Sequence, residues 1–162
     1  MIRIGLVADT HIPKVAPNLP AYLLDVLSGV DLILHAGDLV EVSVLERLRE
    51  LAPTRAVAGN MDRPEVRAVL PEREVMDLEG ARVGLIHGWG SPFGIERRVL
   101  SRFQGMDVVV FGHTHKPLVE KRKGTLLVNP GTPNDRRFSK RLSCARLTIK
   151  DGEVEPEIVW LD

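Results

Sequence analysis

The chain has almost no cysteine, no excess of charge and no long apolar run. Cys144 is its only cysteine, which rules out an internal disulfide framework and a cysteine-ligated zinc ribbon. A reduced, cytoplasmic setting fits that usage. Lysine plus arginine total 22, and so do aspartate plus glutamate, so no global field draws the protein toward nucleic acid or a membrane surface. The N-terminal apolar stretch is too short for a secretory signal and no small-residue cleavage site follows it. No stretch approaches the length of a membrane-spanning helix. No linker, repeat or low-complexity segment divides the chain. Its 162 residues suffice for one domain, 1–162, with a core of its own.

What the chain does have is one pattern repeated five times: an apolar run stops and a metal-capable residue follows at once. Residues 2–8 stop at Asp9-Thr10-His11, and 32–34 at His35-Ala36-Gly37-Asp38. Residues 56–58 stop at Gly59-Asn60, 83–86 at His87-Gly88, and 108–111 at Gly112-His113-Thr114-His115. Short apolar runs bounded by glycine read as buried, parallel strands. Ligands in such sheets bind beyond the carboxyl ends of the strands. Five strand ends would bring two Asp, one Asn and four His to one rim, a set of hard oxygen and imidazole donors suited to divalent metals.

Between these runs the pattern predicts helices over 21–27, capped by Asn18, over 41–51, ended by Pro53, and over 96–103. Strands are expected at 2–8, from Asp31, at 55–58 and at 107–111. Glu79-Gly80 predicts a hairpin joining 74–78 to 81–86. Lys123-Gly124, Asn129-Pro130-Gly131 and Asp151-Gly152 are three further hairpin signals, and 141–161 reads as two antiparallel strands. The expected fold is α/β: a parallel half and an antiparallel half, arranged as two packed mixed sheets flanked by helices.

Taken singly, the motifs say little. Asp-x-His often caps a turn, and Gly-Asp and Gly-Asn commonly make turns. Two histidines one residue apart past an extended strand diverge, so His113 and His115 could serve two metals. The ordered set decides. Asp9-x-His11, Gly37-Asp38, Gly59-Asn60, His87 and Gly112-His113-x-His115 resemble the signature of the calcineurin-like metallophosphoesterases, in particular the small bacterial and archaeal phosphodiesterase subgroup. The resemblance runs from the first strand to about residue 135, and Asn129-Pro130-Gly131-Thr132 matches a turn common in that subgroup.

That resemblance implies two divalent metal ions, Mn²⁺ first among Fe²⁺, Zn²⁺, Ni²⁺ and Co²⁺. Asp9, His11 and His115 would hold one, Asn60, His87 and His113 the other, and Asp38 would bridge them. It further implies a phosphoesterase, foremost a phosphodiesterase, working by in-line attack of a metal-bridging hydroxide, with Asp38, Asn60, His87 and His113 as the catalytic set. The implied partners are a small phosphoester substrate and a second copy of the chain in a homo-oligomer; nucleic acid and membrane are not indicated. The competing reading is a protein-interaction scaffold of the same fold, as in the retromer complex, where the metal site is impaired; here every expected ligand is present.

Two positions depart from the family pattern. Met61 stands where many larger members have a histidine after Gly-Asn, and it cannot donate a proton. Asp62 or water would have to substitute. Trp89 stands where relatives often read histidine; it either walls the site or packs under its loop. His35 reads as a buried histidine satisfied by a backbone carbonyl, with support of Asp38 as the functional variant. Thr10 and Thr114 are expected to orient their loops. Arg136 and Arg137 are candidates for binding phosphate or for a solvated edge. Lys121-Arg122-Lys123 reads as a charged hairpin tip, and Cys144 as a small core residue.

Overall fold

The computed structural model describes residues 1–14 and 16–162. The first half alternates strand and helix: β1 (Ile2–Val7), α1 (Ala21–Leu27), β2 (Leu32–His35), α2 (Val42–Arg49), β3 (Thr54–Ala56) and α3 (Pro64–Val69). The second half holds β4 (Arg73–Leu78), β5 (Ala81–Ile86), α4 (Ile95–Leu100), β6 (Val108–Val110), β7 (Leu118–Arg122), β8 (Thr125–Asn129), β9 (Ser143–Lys150) and β10 (Glu153–Trp160). One sheet has the order β10-β9-β1-β2-β3 and the other β4-β5-β6-β8-β7.

Alternation along each strand explains the layers. Ile4 and Leu6 of β1, Val83 and Leu85 of β5, Val108 and Val110 of β6, and Leu147 and Ile149 of β9 share the core between the sheets. The intervening residues Val7, Ile33 and Cys144 face outward and meet Leu23 and Leu27 of α1 and Leu45 and Leu48 of α2. On the far side, Val109 and Phe111 pack against Ile95 and Val99 of α4. Strands covered on both faces are buried at every position, as the short β2 and β6 are.

The two mixed sheets flanked by helices agree with expectation, but the division between them does not follow the two halves of the chain. β5, β6 and β8 are mutually parallel, so the second half is not antiparallel throughout. β9 returns to pair antiparallel with β1, placing the tail in the first sheet. Asn129-Pro130-Gly131 therefore makes no hairpin: the chain there leaves one sheet for the other. The other hairpins form, β4–β5, β7–β8 and β9–β10. Asn18 does not cap α1; the N-cap is Pro20, without a side-chain bond. The sequence reading missed α3, a six-residue helix that buries only Val66 and is marked by Pro64 at its start and Glu65 in the first turn. Among the described residues, no helix is long and apolar enough to cross a membrane.

Candidate metal centre

The strand ends do meet. Backbone bonds lace the loop after β1 to the loop after β2: Asp9 N–H donates to Gly37 O at 3.0 Å and His11 N–H to Asp38 O at 3.0 Å. The chain reverses here through left-handed conformations that L-residues rarely adopt: Asp9, His11, Asp38, His113 and His115 have φ of 54°, 47°, 59°, 75° and 64°. Such backbone is strained and persists where surrounding structure enforces it. It also changes the expected account of His113 and His115. They diverge because both are left-handed, not because the chain stays extended. The His113 ring stands 5.3 Å from that of His87, and the His115 ring 5.1 Å from that of His11.

Two glycines have a specific steric reason. A Cβ on Gly37 would stand 2.7 Å from His87 Nδ1, and one on Gly59 would stand 2.2 Å from Asp38 Oδ1. Each glycine makes room for a candidate ligand from a different strand.

Two compact donor groups result. Asp9, His11 and His115 each bring a ligand atom within 4.8 Å of the others, and so do Asp9, Asp38 and His87. Asp9 is common to both groups, and Asp38 Oδ2, in the second, lies 3.1 Å from His87 Nε2 and 3.4 Å from His11 Nε2 of the first. Asn60 Oδ1 is 3.0 Å from His87 Nε2. All of these except Asn60 are buried.

The tautomers follow from fixed acceptors. His87 Nδ1–H donates to Ala36 O at 2.7 Å, so Nε2 is the atom turned to Asp38 and Asn60. His113 Nε2–H donates to Gly90 O at 2.8 Å, which leaves Nδ1 free. Asp9 Oδ1 and both ring nitrogens of His11 are buried without a hydrogen-bond partner. Buried polar atoms are ordinarily satisfied. A crowd of orphaned oxygen and imidazole donors is what a divalent cation would satisfy, and the residues present fit one.

Without a cation the cluster answers with protons. Burial would lower the His87 pKa, but the Asp38 hydrogen bond and the Asp9 and Asp38 charges outweigh it and raise the imidazole to about 9. Asp38 runs the other way: burial would raise it, yet His87, Met61 N–H and His11 hold it at about 2. Burial lowers His115. Cations at this site would therefore compete with protons.

The supporting residues are only partly those anticipated. His35 is buried, but a backbone carbonyl does not satisfy it. Its Nδ1 accepts from Gly37 N–H at 3.1 Å and its Nε2 pairs with Thr10 Oγ1 at 3.1 Å, so it braces both ligand loops. Asp62 accepts from Val40, Asp38 and Gly59 N–H at 2.6, 3.1 and 2.7 Å. With both oxygens so engaged and 6% exposure, Asp62 is a strut and not the substitute acid that sequence reading allowed. Asn129 Nδ2 holds Gly112 O and Thr114 Oγ1, each at 3.1 Å. Arg136 pairs with Asp162 at 2.9 Å, whereas Arg137 pairs at 2.7 Å with Asp135 and so stands one residue from His115. Sequence reading missed Asp135, whose Oδ2 stands 3.5 Å from His115 Nδ1. Thr132 ties it in, accepting from Asp135 N–H and donating to Asp9 O.

Burial holds the His35 pKa near 3 against an ordinary 6.5. The unfolded chain therefore takes up this proton first as pH falls, and the metal-free protein should lose stability from about pH 6.5 downward. His87, raised to about 9, contributes stability that is complete below 6.5 and is lost as pH rises through 9. Metal-free stability should peak near pH 6.5. Denaturant titrations from pH 4 to 9 would show this, and His35→Gln should flatten the acid limb; an acid limb of unchanged slope in that variant would rule out His35 as its source.

The model of the calcineurin-like phosphoesterase superfamily domain covers residues 2–152. The chain belongs to that family. A probable metallophosphoesterase of Methanothermobacter thermautotrophicus is 39% identical over 158 residues, 96% of this chain and 91% of that one. The solution structure of a Thermotoga maritima protein is 33% identical, with a TM-score of 0.76 over 99% of both chains. Vps29 of Entamoeba histolytica, solved in complex with Zn²⁺, is 26% identical, with a TM-score of 0.74 over 99% of this chain and 100% of that one. Membership in this phosphoesterase family and the two donor groups together support divalent-metal binding.

Proposed function

We propose that this protein is a dinuclear metal-dependent phosphoesterase acting foremost on phosphodiesters. One observation carries the reading: Asp9, His11, Asp38, His87 and His115 form two donor groups that share Asp9, with Asn60 and His113 beside His87 and with Asp9 Oδ1 and both His11 nitrogens buried and unpartnered. Asp9, His11 and His115 would hold one ion, Asn60, His87 and His113 the other, and Asp38 would bridge them. Bound cations supply a water of lowered pKa and neutralise charge on phosphoryl oxygens. The chain's own part is orientation. Ala36 O and Gly90 O fix the tautomers of His87 and His113, and Asp135 faces the outer nitrogen of His115.

The scaffold reading is favoured by the likeness to Vps29. The complete donor set argues for the enzyme, since function lies in the site and not in the fold. Metal-free protein assayed on a panel of phosphoesters with Mn²⁺, Fe²⁺, Zn²⁺, Ni²⁺ and Co²⁺ tests the choice. We expect about two ions retained per chain and turnover with at least one metal, Mn²⁺ foremost. Retention of two ions without turnover of any ester would favour the scaffold.

A further inference from the structure

A cavity of about 490 Å³ opens directly beside Asn60 and His87, a size typical of small-ligand sites. Two of its other walls, α3 and the turn after α4, carry no candidate metal ligand, while Trp89 shares the loop of His87. Arg67 enters from α3, Arg102 from the turn after α4, and Trp89 from the loop after β5. Trp89 is 40% exposed, so it forms a wall and is not packed under its loop. The Arg102 guanidinium lies 5.8 Å from the centre of its ring. One carboxylate, Glu72, shares the cavity; it is 3.9 Å from Arg102 and its side chain is 84% exposed, a weak pair. The cavity thus offers two guanidinia, one loosely engaged carboxylate and an indole face. Guanidinia favour phosphate through paired donors, and an exposed indole favours a flat ring.

We infer that this cavity is a subsite for the non-scissile half of the substrate, an alcohol that carries a flat heterocyclic ring and a second phosphate. The inference rests on the phosphodiesterase reading for its substrate, but it names different residues. A diester phosphate placed at Asn60 and His87 would leave its ester substituent against the Trp89 ring. A further phosphate on that substituent would reach Arg67 and Arg102. A substituent without the second charge would leave both guanidinia unmatched.

Two 4-nitrophenyl esters of thymidine 5′-phosphate, one with and one without a 3′-phosphate, test this. They share ring, scissile group and leaving group. Titrated into metal-free protein, where no turnover occurs, they would be read by Trp89 fluorescence in a Trp160→Phe background. The 3′-phosphorylated ester should bind about tenfold tighter and change Trp89 emission. Arg67→Gln with Arg102→Gln should bring the two affinities together, and the same ester lacking the base should bind without the emission change. Equal affinities in the parent protein, or a preference that survives both substitutions, would overturn the subsite. The phosphodiesterase reading is scored separately, by turnover of bis(4-nitrophenyl) phosphate in metal-loaded protein. Turnover without the preference sinks only the subsite; the preference without turnover of any ester sinks only the enzyme.

Discussion

Asp38→Ala is expected to lower phosphoesterase activity by more than about 100-fold, beyond the 10–100-fold typical of a residue that merely supports a metal ligand. The Asp38 carboxylate reaches both donor clusters, at 3.1 Å from His87 Nε2 and 3.4 Å from His11 Nε2, closer than Asp9, the member common to both, at 3.8 Å and 3.6 Å. Two divalent cations held close together repel, and a carboxylate between them offsets that repulsion. Alanine also removes the acceptor of Met61 N–H, bonded to Asp38 Oδ1 at 2.7 Å. That bond is part-buried, so its loss should cost about 0.5–1.5 kcal/mol of stability. Asp38→Asn separates the two effects, because its side-chain oxygen still accepts that bond while the negative charge is gone. Both variants should lose activity and, near neutral pH, the metal-free stability contributed by the Asp38–His87 pair, but Asp38→Asn should stay more stable than Asp38→Ala. Metal at 100 times its Kd stabilises a one-site protein by about 2.7 kcal/mol, so the rise in Tm on adding Mn²⁺ is a second readout. It should shrink in both variants. An Asp38→Asn protein that retains full turnover and the full Mn²⁺-induced shift would remove Asp38 from the metal centre.

The candidate ligands were legible because residue type and position coincide. Asp9, Asp38, Asn60, His87 and His113 each stand just past a short apolar run, and parallel strands bring such positions to one rim. Their aim was not legible. Nothing in Asp-Thr-His or His-Thr-His requires the left-handed backbone at Asp9, His11, His113 and His115; it comes from bonds between loops distant in sequence. Asp135 was hidden for a related reason. It nears His115 only because the chain crosses between sheets after Asn129, and a single Asp beside two arginines reads as an exposed loop. The hairpin expected at Asn129-Pro130-Gly131 failed because a turn signal gives a change of direction and not the next partner. Local chemistry at Gly131 is satisfied by the Asn129 side chain, while β9 finds its pairing on β1, more than a hundred residues away. The helix α3 escaped because a single buried residue, Val66, makes no periodic pattern.

The site should also show a steep dependence on the leaving group. Met61 occupies the position past Asn60, and its thioether donates no proton. Asp62 is the next acid in the chain, but its carboxylate is committed to three backbone N–H groups. Burial raises its pKa even so, yet an oxygen enclosed by those donors has no path to a departing alkoxide. A nitrophenolate leaves as a stable anion and needs no proton, whereas an alkoxide leaves poorly without one. General-acid help is typically worth about 10²–10⁴-fold, and that factor should separate aryl from alkyl diesters here beyond their difference in uncatalysed rates. A series of aryl and alkyl methyl phosphodiesters at saturating Mn²⁺ would give the slope of log kcat/KM against leaving-group pKa. Rapid-mixing experiments would establish that the chemical step limits the rate. Met61→His then supplies the missing donor at the same position, and it should flatten the slope by accelerating the alkyl esters most. A shallow slope in the parent protein with chemistry limiting would mean that another group protonates the leaving oxygen, and the assignment of Met61 as a missing acid would fall.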